Sequence, residues 1–456
     1  MPHALAERAI DLPVALSRRL DAARGLVRPV RSGAISRVIG LRFDVDGLDL
    51  PIGATVRVVD GTADLSGEVV AVGDGSVTCM PFGEVKGLRV GARVEGVDRP
   101  PSIGVGPQLL GRVIDAMGRP LDDLGPITGL LDVGLDADAP HPMRRARIDT
   151  PLSLGIRSWD TLIPAGRGQR VGIFAGSGVG KSTLLGMIAR NTEADVNVVA
   201  LIGERGREVR EFVEADLGPE GLARSVLIIA TSEQPALVRL RAAFAATRIA
   251  EWFRDQGNDV MLMMDSLTRF CMAQREIGLS AGEPPTSRGY PPSVFSLLPR
   301  LLERAGAAEV GSITGLYTVL VDGDDHNEPI SDAARSILDG HVVLSRKLAH
   351  ANHYPAIDVL ASVSRVTSAV TTNDERNLMY EMRRLMAAEA EARDLIEIGA
   401  YVQGTNPMVD RAIELREAIR SFLTQRMTDR WDARRSFDRL RDVLGTRPID
   451  HERGDR

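Results

Sequence analysis

Hydrophobic and polar positions change period three times along this chain, and each change predicts a different kind of structure. Over residues 1–28, Leu12, Leu16 and Leu20 recur at helical spacing, and Pro13 suits a first helical turn. Arg18, Arg19, Arg24 and Arg28 give that helix a basic polar side. It reads either as an amphipathic docking helix for a partner or membrane surface, or as a frayed N-terminal helix without one. Over residues 33–97 the period is two: Leu41, Phe43 and Val45 alternate with Arg42, Asp44 and Asp46, and Val56 and Val58 flank Arg57. The pairs Asp46-Gly47, Asp60-Gly61 and Asp74-Gly75 are hairpin signals, so segment 29–98 is expected to be a small all-β barrel or sandwich. It holds no cluster of titratable groups and reads as structural.

Pro100-Pro101 marks a linker, and residues 111–120 read as a strand and turn. Over residues 149–366, apolar runs rich in Val, Ile and Leu (196–202, 225–230, 260–264, 312–321, 341–344 and 357–360) alternate with helical stretches. Uninterrupted apolar strands have both faces covered, so an α/β domain with a mainly parallel sheet is expected within 99–368. Residues 373–444 return to helical spacing. Leu378, Met382 and Leu385 share one face; Met408, Ala412, Leu415, Ile419 and Phe422 share another, behind Asn406 as cap and Pro407 in the first turn. Phe437, Leu440 and Leu444 suggest a third helix, making 369–456 a small helical bundle.

Composition narrows the class. At 456 residues the chain exceeds one ordinary core, and its 44% hydrophobic and 26% charged content is that of a soluble globular protein. No run approaches the ~18 apolar residues of a membrane span, and the N-terminus lacks a signal-peptide pattern. Cys79 and Cys271 sit singly in apolar surroundings, which fits core packing in a reducing compartment; a cytoplasmic location is expected. A net charge of −6 and 4% aromatics argue against nucleic acid as a partner.

The most informative stretch starts at Arg170-Val171-Gly172-Ile173-Phe174, a short buried strand, and continues Ala175-Gly176-Ser177-Gly178-Val179-Gly180-Lys181-Ser182-Thr183. Strand, glycine-rich turn and helix start in this order make a phosphate-binding P-loop. Its backbone amides wrap the phosphates, Lys181 reaches the β- and γ-phosphates, and the Ser182 hydroxyl can ligate Mg²⁺. Ala175 replaces the pattern's first glycine at the strand end, away from the tight turn, where a methyl group is tolerated.

Other strand ends supply matching chemistry. Glu204, in Gly203-Glu204-Arg205-Gly206-Arg207-Glu208, is placed to orient and deprotonate a water attacking the γ-phosphate. Asp265 ends an apolar strand in the Walker B manner, a position for holding Mg²⁺ directly or through water; as an alternative it caps the helix that follows. Arg205 and Arg269 can reach the γ-phosphate from the same subunit. Arg365, after Ser362-Val363-Ser364, reads as a solvated charge or as an arginine lent to a neighbouring subunit's site. Tyr354, just before Pro355, can stack on an adenine ring.

Longer strings carry a family resemblance. The run from Gly166 to Ser182, the segment Leu201-Ile202-Gly203-Glu204-Arg205-Gly206-Arg207-Glu208-Val209, and Met264-Asp265-Ser266-Leu267-Thr268-Arg269-Phe270 resemble the ATPases of bacterial type III protein export. Gly282-Glu283-Pro284-Pro285-Thr286-Ser287-Arg288-Gly289-Tyr290-Pro291-Pro292-Ser293-Val294-Phe295 is especially specific to that group. Pro355-Ala356-Ile357-Asp358-Val359-Leu360-Ala361-Ser362-Val363-Ser364 is similar to the signature shared with rotary ATP synthase α and β subunits. Ala175 matches the export family's own pattern. The resemblance runs from about residue 30 to the end and implies a RecA-like P-loop core with an N-terminal β-barrel and a C-terminal helical bundle. It also implies an ATP- and Mg²⁺-dependent translocase, assembled as a homo-hexamer with Glu204 and Arg365 meeting at each subunit interface. Leu50-Pro51-Ile52-Gly53-Ala54 and Met80-Pro81-Phe82-Gly83-Glu84-Val85-Lys86-Gly87-Leu88 resemble the flagellum-specific branch, whereas Asn327-Glu328-Pro329 and Ala351-Asn352-His353-Tyr354 also occur in virulence injectisome relatives. Partners implied by the resemblance are a negative regulator at the N-terminal helix, export chaperones with cargo, a stalk-like central subunit and the membrane export gate. The implied location is the cytoplasm, peripheral to the inner membrane. Two other classes stay open: an RNA-translocating hexameric ATPase, and a non-catalytic nucleotide-binding ring subunit in which Glu204 is idle.

Overall fold

The alternating segment closes on itself as a barrel in a computed structural model of the chain, which describes residues 30–60, 63–97, 99–321 and 328–446. The expected docking helix over 1–28 and the residue Asn327 lie outside them. Strands β1 (Ser32–Ile39), β2 (Arg42–Asp46), β3 (Thr55–Asp60), β4 (Ala63–Gly73), β5 (Ser76–Pro81) and β6 (Arg93–Gly96) close in the order β1-β2-β5-β4-β3-β6. Inward positions spaced by two, Phe43 and Val45, Val56 and Val58, Val77 and Cys79, fill the interior and are almost fully buried. The hairpin signals are only partly used. Asp74-Gly75 joins β4 to β5, with Gly73 paired to Ser76, and β3 turns into β4 with Asp60 opposite Ala63. Asp46-Gly47 makes no hairpin, because β2 pairs with β1 and β5 while β3 lies across the barrel. A tight turn that carries no such signal, Gly40-Leu41, joins β1 to β2 instead and leaves Leu41 half exposed at its tip.

The chain divides into two compact units, Met1–Pro81 with Val85–Arg99, and Phe82–Glu84 with Pro100–Arg456. The second unit is built on a nine-stranded sheet. Its strands are β7 (Arg112–Asp115), β8 (Arg170–Ala175), β9 (Val196–Glu204), β10 (Ser225–Thr231), β11 (Asp259–Asp265), β12 (Gly306–Ala307), β13 (Ser312–Leu320), β14 (Gly340–Leu344) and β15 (Ile357–Ser364). The order is β15-β14-β8-β13-β11-β9-β10-β7, with β12 paired beside β13. The strand expected near residue 112 thus joins the sheet as its far edge, parallel to β10. All pairings along the path are parallel except that of β14 with β15.

Successive residues of the apolar strands enter opposite layers. Val171, Ile173, Val199 and Leu201 pack with Leu185 and Ile188 of α1 (Lys181–Asn191). Phe174, Val198, Ala200 and Leu262 pack on the other face with Ala243 and Ile249 of α2 (Ala236–Asp255) and Phe270 of α3 (Leu267–Ala281). Each fully buried side chain of this size contributes roughly 1.5–3 kcal/mol, so the two layers hold the sheet rigid beneath its loops. The C-terminal helices α4 (Asn373–Glu397), α5 (Pro407–Leu423) and α6 (Ala433–Leu444) start at side-chain caps. Thr372 and Glu375 form a capping box, and Asn406 and Asp432 accept from Met408 N and Arg435 N. Their buried stripes, Leu378, Met382 and Leu385, then Ala412, Ile419 and Phe422, then Phe437, Leu440 and Leu444, join the α1-side core. Among the described residues no helix is long and apolar enough to cross a membrane.

Candidate active site

Parallel pairing brings the C-terminal ends of β8, β13, β11 and β9 into one row. Ala175 lies opposite Leu320, Met264 opposite Tyr317, and Leu201 opposite Asp265. Ligands of open α/β sheets bind beyond this edge, where strand ends and helix starts converge. The glycine-rich turn leaves β8 here, and Gly180, in the left-handed region with φ 86°, begins α1 without a side-chain cap. The amides of Lys181, Ser182 and Thr183 therefore open the helix facing a ligand, with the positive end of its dipole behind them. Beside Gly176 runs the guanidinium of Arg346, whose Nη2 lies 2.7 Å from where a Cβ would stand and would have to give way to one.

Lys181 is mostly buried, and its Nζ lies 2.5 Å from Asp265 Oδ1 and 3.5 Å from Glu204 Oε1. Burial opposes its charge, but Asp265 and then Glu204 hold the ammonium above the ordinary lysine range. Two carboxylates share one ammonium, and Asp265 sits closer to it. Burial, followed by the negative charge of Asp265, accordingly pushes the Glu204 carboxyl up to about 7 against the pull of Lys181. Such a value near neutrality suits a group that must accept a proton. Backbone geometry places Glu204 at this spot: Gly203 before it has φ 71°, and its missing side chain leaves room for the stem of Arg269, 2.9 Å from an added Cβ. The pairing of β9 with β10 shifts register between Ile202 and Glu204.

Asp265 is 2% exposed, and the helix cap after it is Ser266, whose Oγ accepts from Arg269 N at 3.2 Å. The carboxylate is thus left to the site. Its Oδ1 also accepts from Thr318 Oγ1 at 2.7 Å. Asp265 and the Ser182 hydroxyl are hard oxygen donors that could ligate a cation, and no group of three His, Cys, Asp or Glu side chains that could hold a metal gathers among the described residues. That donor set fits Mg²⁺, which takes one or two protein oxygens and fills its octahedron with phosphate and water, better than it fits a transition metal.

The other candidate residues are distributed unevenly. The ring of Tyr354 lies 3.3 Å from the position of a Gly180 Cβ and is 40% exposed, which puts an open aromatic face beside the glycine turn. Gln425 N donates to Tyr354 O at 2.9 Å, and the buried Gln425 side chain bridges Arg157 N and Gly155 O. Arg269 lies along Gly203, with a buried Nε that has no hydrogen-bond partner among the described residues. The Arg205 side chain is largely exposed and pairs at 3.1 Å with Glu208, whose carboxyl in turn shares a hydrogen bond with Glu204. Arg365 is not brought to this edge at all. Because β15 runs antiparallel to β14, with Ser364 opposite Gly340, Arg365 emerges at the opposite edge, where its N donates to Asp339 O. Thr318, Arg346 and Gln425 went unnoticed in the sequence. Arg346 lies just past a strand end, beside the position that made Glu204 legible, and could have been found on that ground; Thr318 is one of two threonines in its strand, with Thr314, and nothing in the sequence sets it apart.

A glycine loop, its lysine and two strand-end carboxylates at the C-terminal edge of a parallel sheet define a P-loop nucleoside triphosphatase. Three family descriptions match the chain in order: the ATP synthase alpha/beta family beta-barrel domain over residues 35–97, its nucleotide-binding domain over 155–364, and the T3SS EscN ATPase C-terminal domain over 371–442. The chain belongs to the ATP synthase alpha/beta family, among its flagellum-specific and type 3 secretion members. It is 52% identical over 398 residues to the flagellum-specific ATP synthase of Bacillus subtilis, covering 87% of this chain and 91% of that one. It is also 52% identical over 397 residues to the type 3 secretion system ATPase of Xanthomonas euvesicatoria, covering 87% and 90%. The assembled ATPase EscN of enteropathogenic E. coli, solved in complex with its central stalk EscO, superposes with a TM-score of 0.84 at 45% identity, covering 90% of this chain and 100% of that one.

Proposed function

We propose that this chain hydrolyses ATP at the interfaces of a homo-hexameric ring and thereby energises or primes protein export through a type III apparatus. The observation that carries the reading is the buried triad of Lys181, Glu204 and Asp265 at the P-loop edge of the sheet. In this reading the amides of residues 176–183 cradle the phosphates, Lys181 turns from the carboxylates to the β- and γ-phosphates, and Tyr354 stacks on the base. Glu204 orients the attacking water and takes its proton, and Arg269 braces the loop that carries it. Ser182 and Asp265 would hold Mg²⁺, which would supply charge neutralisation on the phosphate oxygens. Arg365 serves the site of the neighbouring subunit, as its place on the opposite sheet edge supports. Arg205, paired with Glu208 at the surface, has reach to the γ-phosphate only when that pair opens.

Flagellar export is the system we infer, on the barrel strings 50–54 and 80–88; the relatives of both systems match at equal identity. The negative regulator at the N-terminal helix, chaperone–cargo complexes, a central stalk, the export gate and peripheral attachment to the inner membrane belong to the same proposal. EscN's complex with EscO supports the stalk and the assembled ring. Mixing inactive Glu204→Gln and Arg365→Ala subunits tests the core of it: rings that contain both should regain hydrolysis at interfaces where both intact residues meet. No recovery in rings shown to be mixed defeats the shared site. Deleting the gene and scoring filament assembly and swimming against effector secretion tests the system, and lost secretion with normal flagella overturns the flagellar assignment.

A further inference from the structure

Thr318 sits on β13, among Ile313, Leu316, Tyr317 and Val319, and is fully buried. An unbonded hydroxyl in such surroundings is costly, so its partner explains its presence. That partner is Asp265 on the adjacent strand β11: Thr318 Oγ1 lies 2.7 Å from Asp265 Oδ1 and 3.4 Å from Met264 O. With a single proton to give, the hydroxyl donates to the nearer and charged acceptor. Lys181 Nζ meets the same Oδ1 at 2.5 Å. Among the described residues, no hydrogen bond falls on Oδ2. Two donors therefore hold one oxygen inward and fix the plane of the carboxylate.

We propose that Thr318 is a positioning residue for the Mg²⁺ site. It holds Asp265 Oδ1 and so leaves Oδ2 as the oxygen that would serve the cation once Lys181 leaves for the phosphates. Lys181 cannot do this task throughout, because it has two employments, and its flexible chain fixes no plane. Thr318 is anchored in a strand that pairs with β11 along its length, residue 264 opposite residue 317, and belongs to the sheet, not to the nucleotide loop. The inference rests on the reading above that Asp265 holds Mg²⁺.

The test compares Thr318→Val, which keeps the shape and removes the hydroxyl, with Thr318→Ser, which keeps the hydroxyl. Binding of a fluorescent ADP is titrated with Mg²⁺ and repeated in chelator, and KM and kcat for ATP are measured alongside melting temperatures. Loss of a hydrogen bond to a metal-ligating carboxylate lowers metal affinity by about tenfold at the least, so half-saturating Mg²⁺ should rise about tenfold in Thr318→Val. ADP affinity in chelator should stay as in wild type, and Thr318→Ser should restore the Mg²⁺ midpoint. Thr318→Ala replaces the valine variant if that one does not fold. An unchanged Mg²⁺ midpoint in the hydroxyl-less variant, or a serine variant as weak as the valine one, overturns the inference. Asp265→Asn separates the two levels: if it too leaves the Mg²⁺ midpoint unchanged, the metal-site reading fails, and not merely the role of Thr318.

Discussion

Replacing Glu204 by glutamine keeps the side chain's size and removes its ability to take a proton. The free protein holds this carboxyl near 7, through burial and the neighbouring Asp265 charge, so protonated and ionised forms exchange within the accessible pH range. The direction follows from the chemistry: only the ionised form can act as a base, so activity rises with pH. With the midpoint at about 7, roughly a tenth of Glu204 is ionised at about pH 6 and roughly nine-tenths at about pH 8. A base-dependent step therefore gains about tenfold across that window in kcat/KM, the quantity that reports the free enzyme. General-base assistance is worth roughly 10²–10⁴-fold, so Glu204→Gln is expected to lose at least about 10²-fold at the high end and tenfold less at the low end. Lys181, Glu204, Glu208 and Asp265 interact, and the measured midpoint belongs to the cluster. ATP's own γ-phosphate titrates nearby, so the readout is the ratio of wild type to variant, in which the substrate's ionisation cancels. A ratio that stays flat over the window, or a variant that keeps most of its hydrolysis, would refute the reasoning from this carboxyl to the reaction.

Other outcomes follow from packing and pairing. A branched side chain at Gly176 would crowd both the phosphate-wrapping backbone and the Arg346 guanidinium, and Gly176→Val should weaken ATP binding by at least about tenfold without loss of helix content; an unchanged Kd contradicts a need for open space at Gly176. Arg304 and Glu251, 3% and 1% exposed, form a bidentate pair at 2.7 and 2.8 Å. Glu251→Ala leaves the Arg304 guanidinium with its bond to Leu135 O and takes the carboxylate from Arg248 as well, and should cost roughly 3–5 kcal/mol in urea unfolding; Glu251→Leu with Arg304→Met should recover only the part due to Arg304. Asn406→Ala removes the cap bond to Met408 N at 3.0 Å and should cost about 1 kcal/mol, with a smaller loss for Asn406→Gly.

Much of the site is readable from the chain because its parts depend on local order. The loop from Ala175 to Thr183 is contiguous, and a strand before it and a helix after it are set by the apolar pattern alone. Glu204 and Asp265 are also readable, since an apolar run that stops at a carboxylate marks a strand end whatever the neighbouring strand is. Thr318 and Gln425 are of another kind. Thr318 matters only because β13 lies beside β11 in one particular register, and Gln425 only because the stretch after α5 folds back over Gly155 and Tyr354. The barrel shows the same division: alternation predicts which of Phe43, Val45, Val56 and Val58 face inward, whereas the partner of β2 is decided by closure and defeats the Asp46-Gly47 signal.

Strand direction decides the role open to Arg365. Read as a strand end, it looks equivalent to Glu204 and Asp265. Parallel strands deliver such residues to the P-loop edge, but β15 is antiparallel and delivers Arg365 to the edge where β8 begins. Gln169 Nε2 donates to Ser364 Oγ at 3.1 Å, and Arg365 N reaches Asp339 O, whose own N bonds Arg170 O. From Arg170 to Ala175 the strand covers about 16 Å, well beyond the reach of an arginine side chain. A role at this chain's own γ-phosphate is therefore closed to Arg365 by topology, and the role proposed for it would need a second subunit to present its β8-start edge to the first one's glycine loop. In the proposed ring of identical subunits each copy would bring both the loop edge with Glu204 and the opposite edge with Arg365 to its interfaces. On that proposal, the reversal of one edge strand is what would divide a complete-looking set of residues into two half-sites.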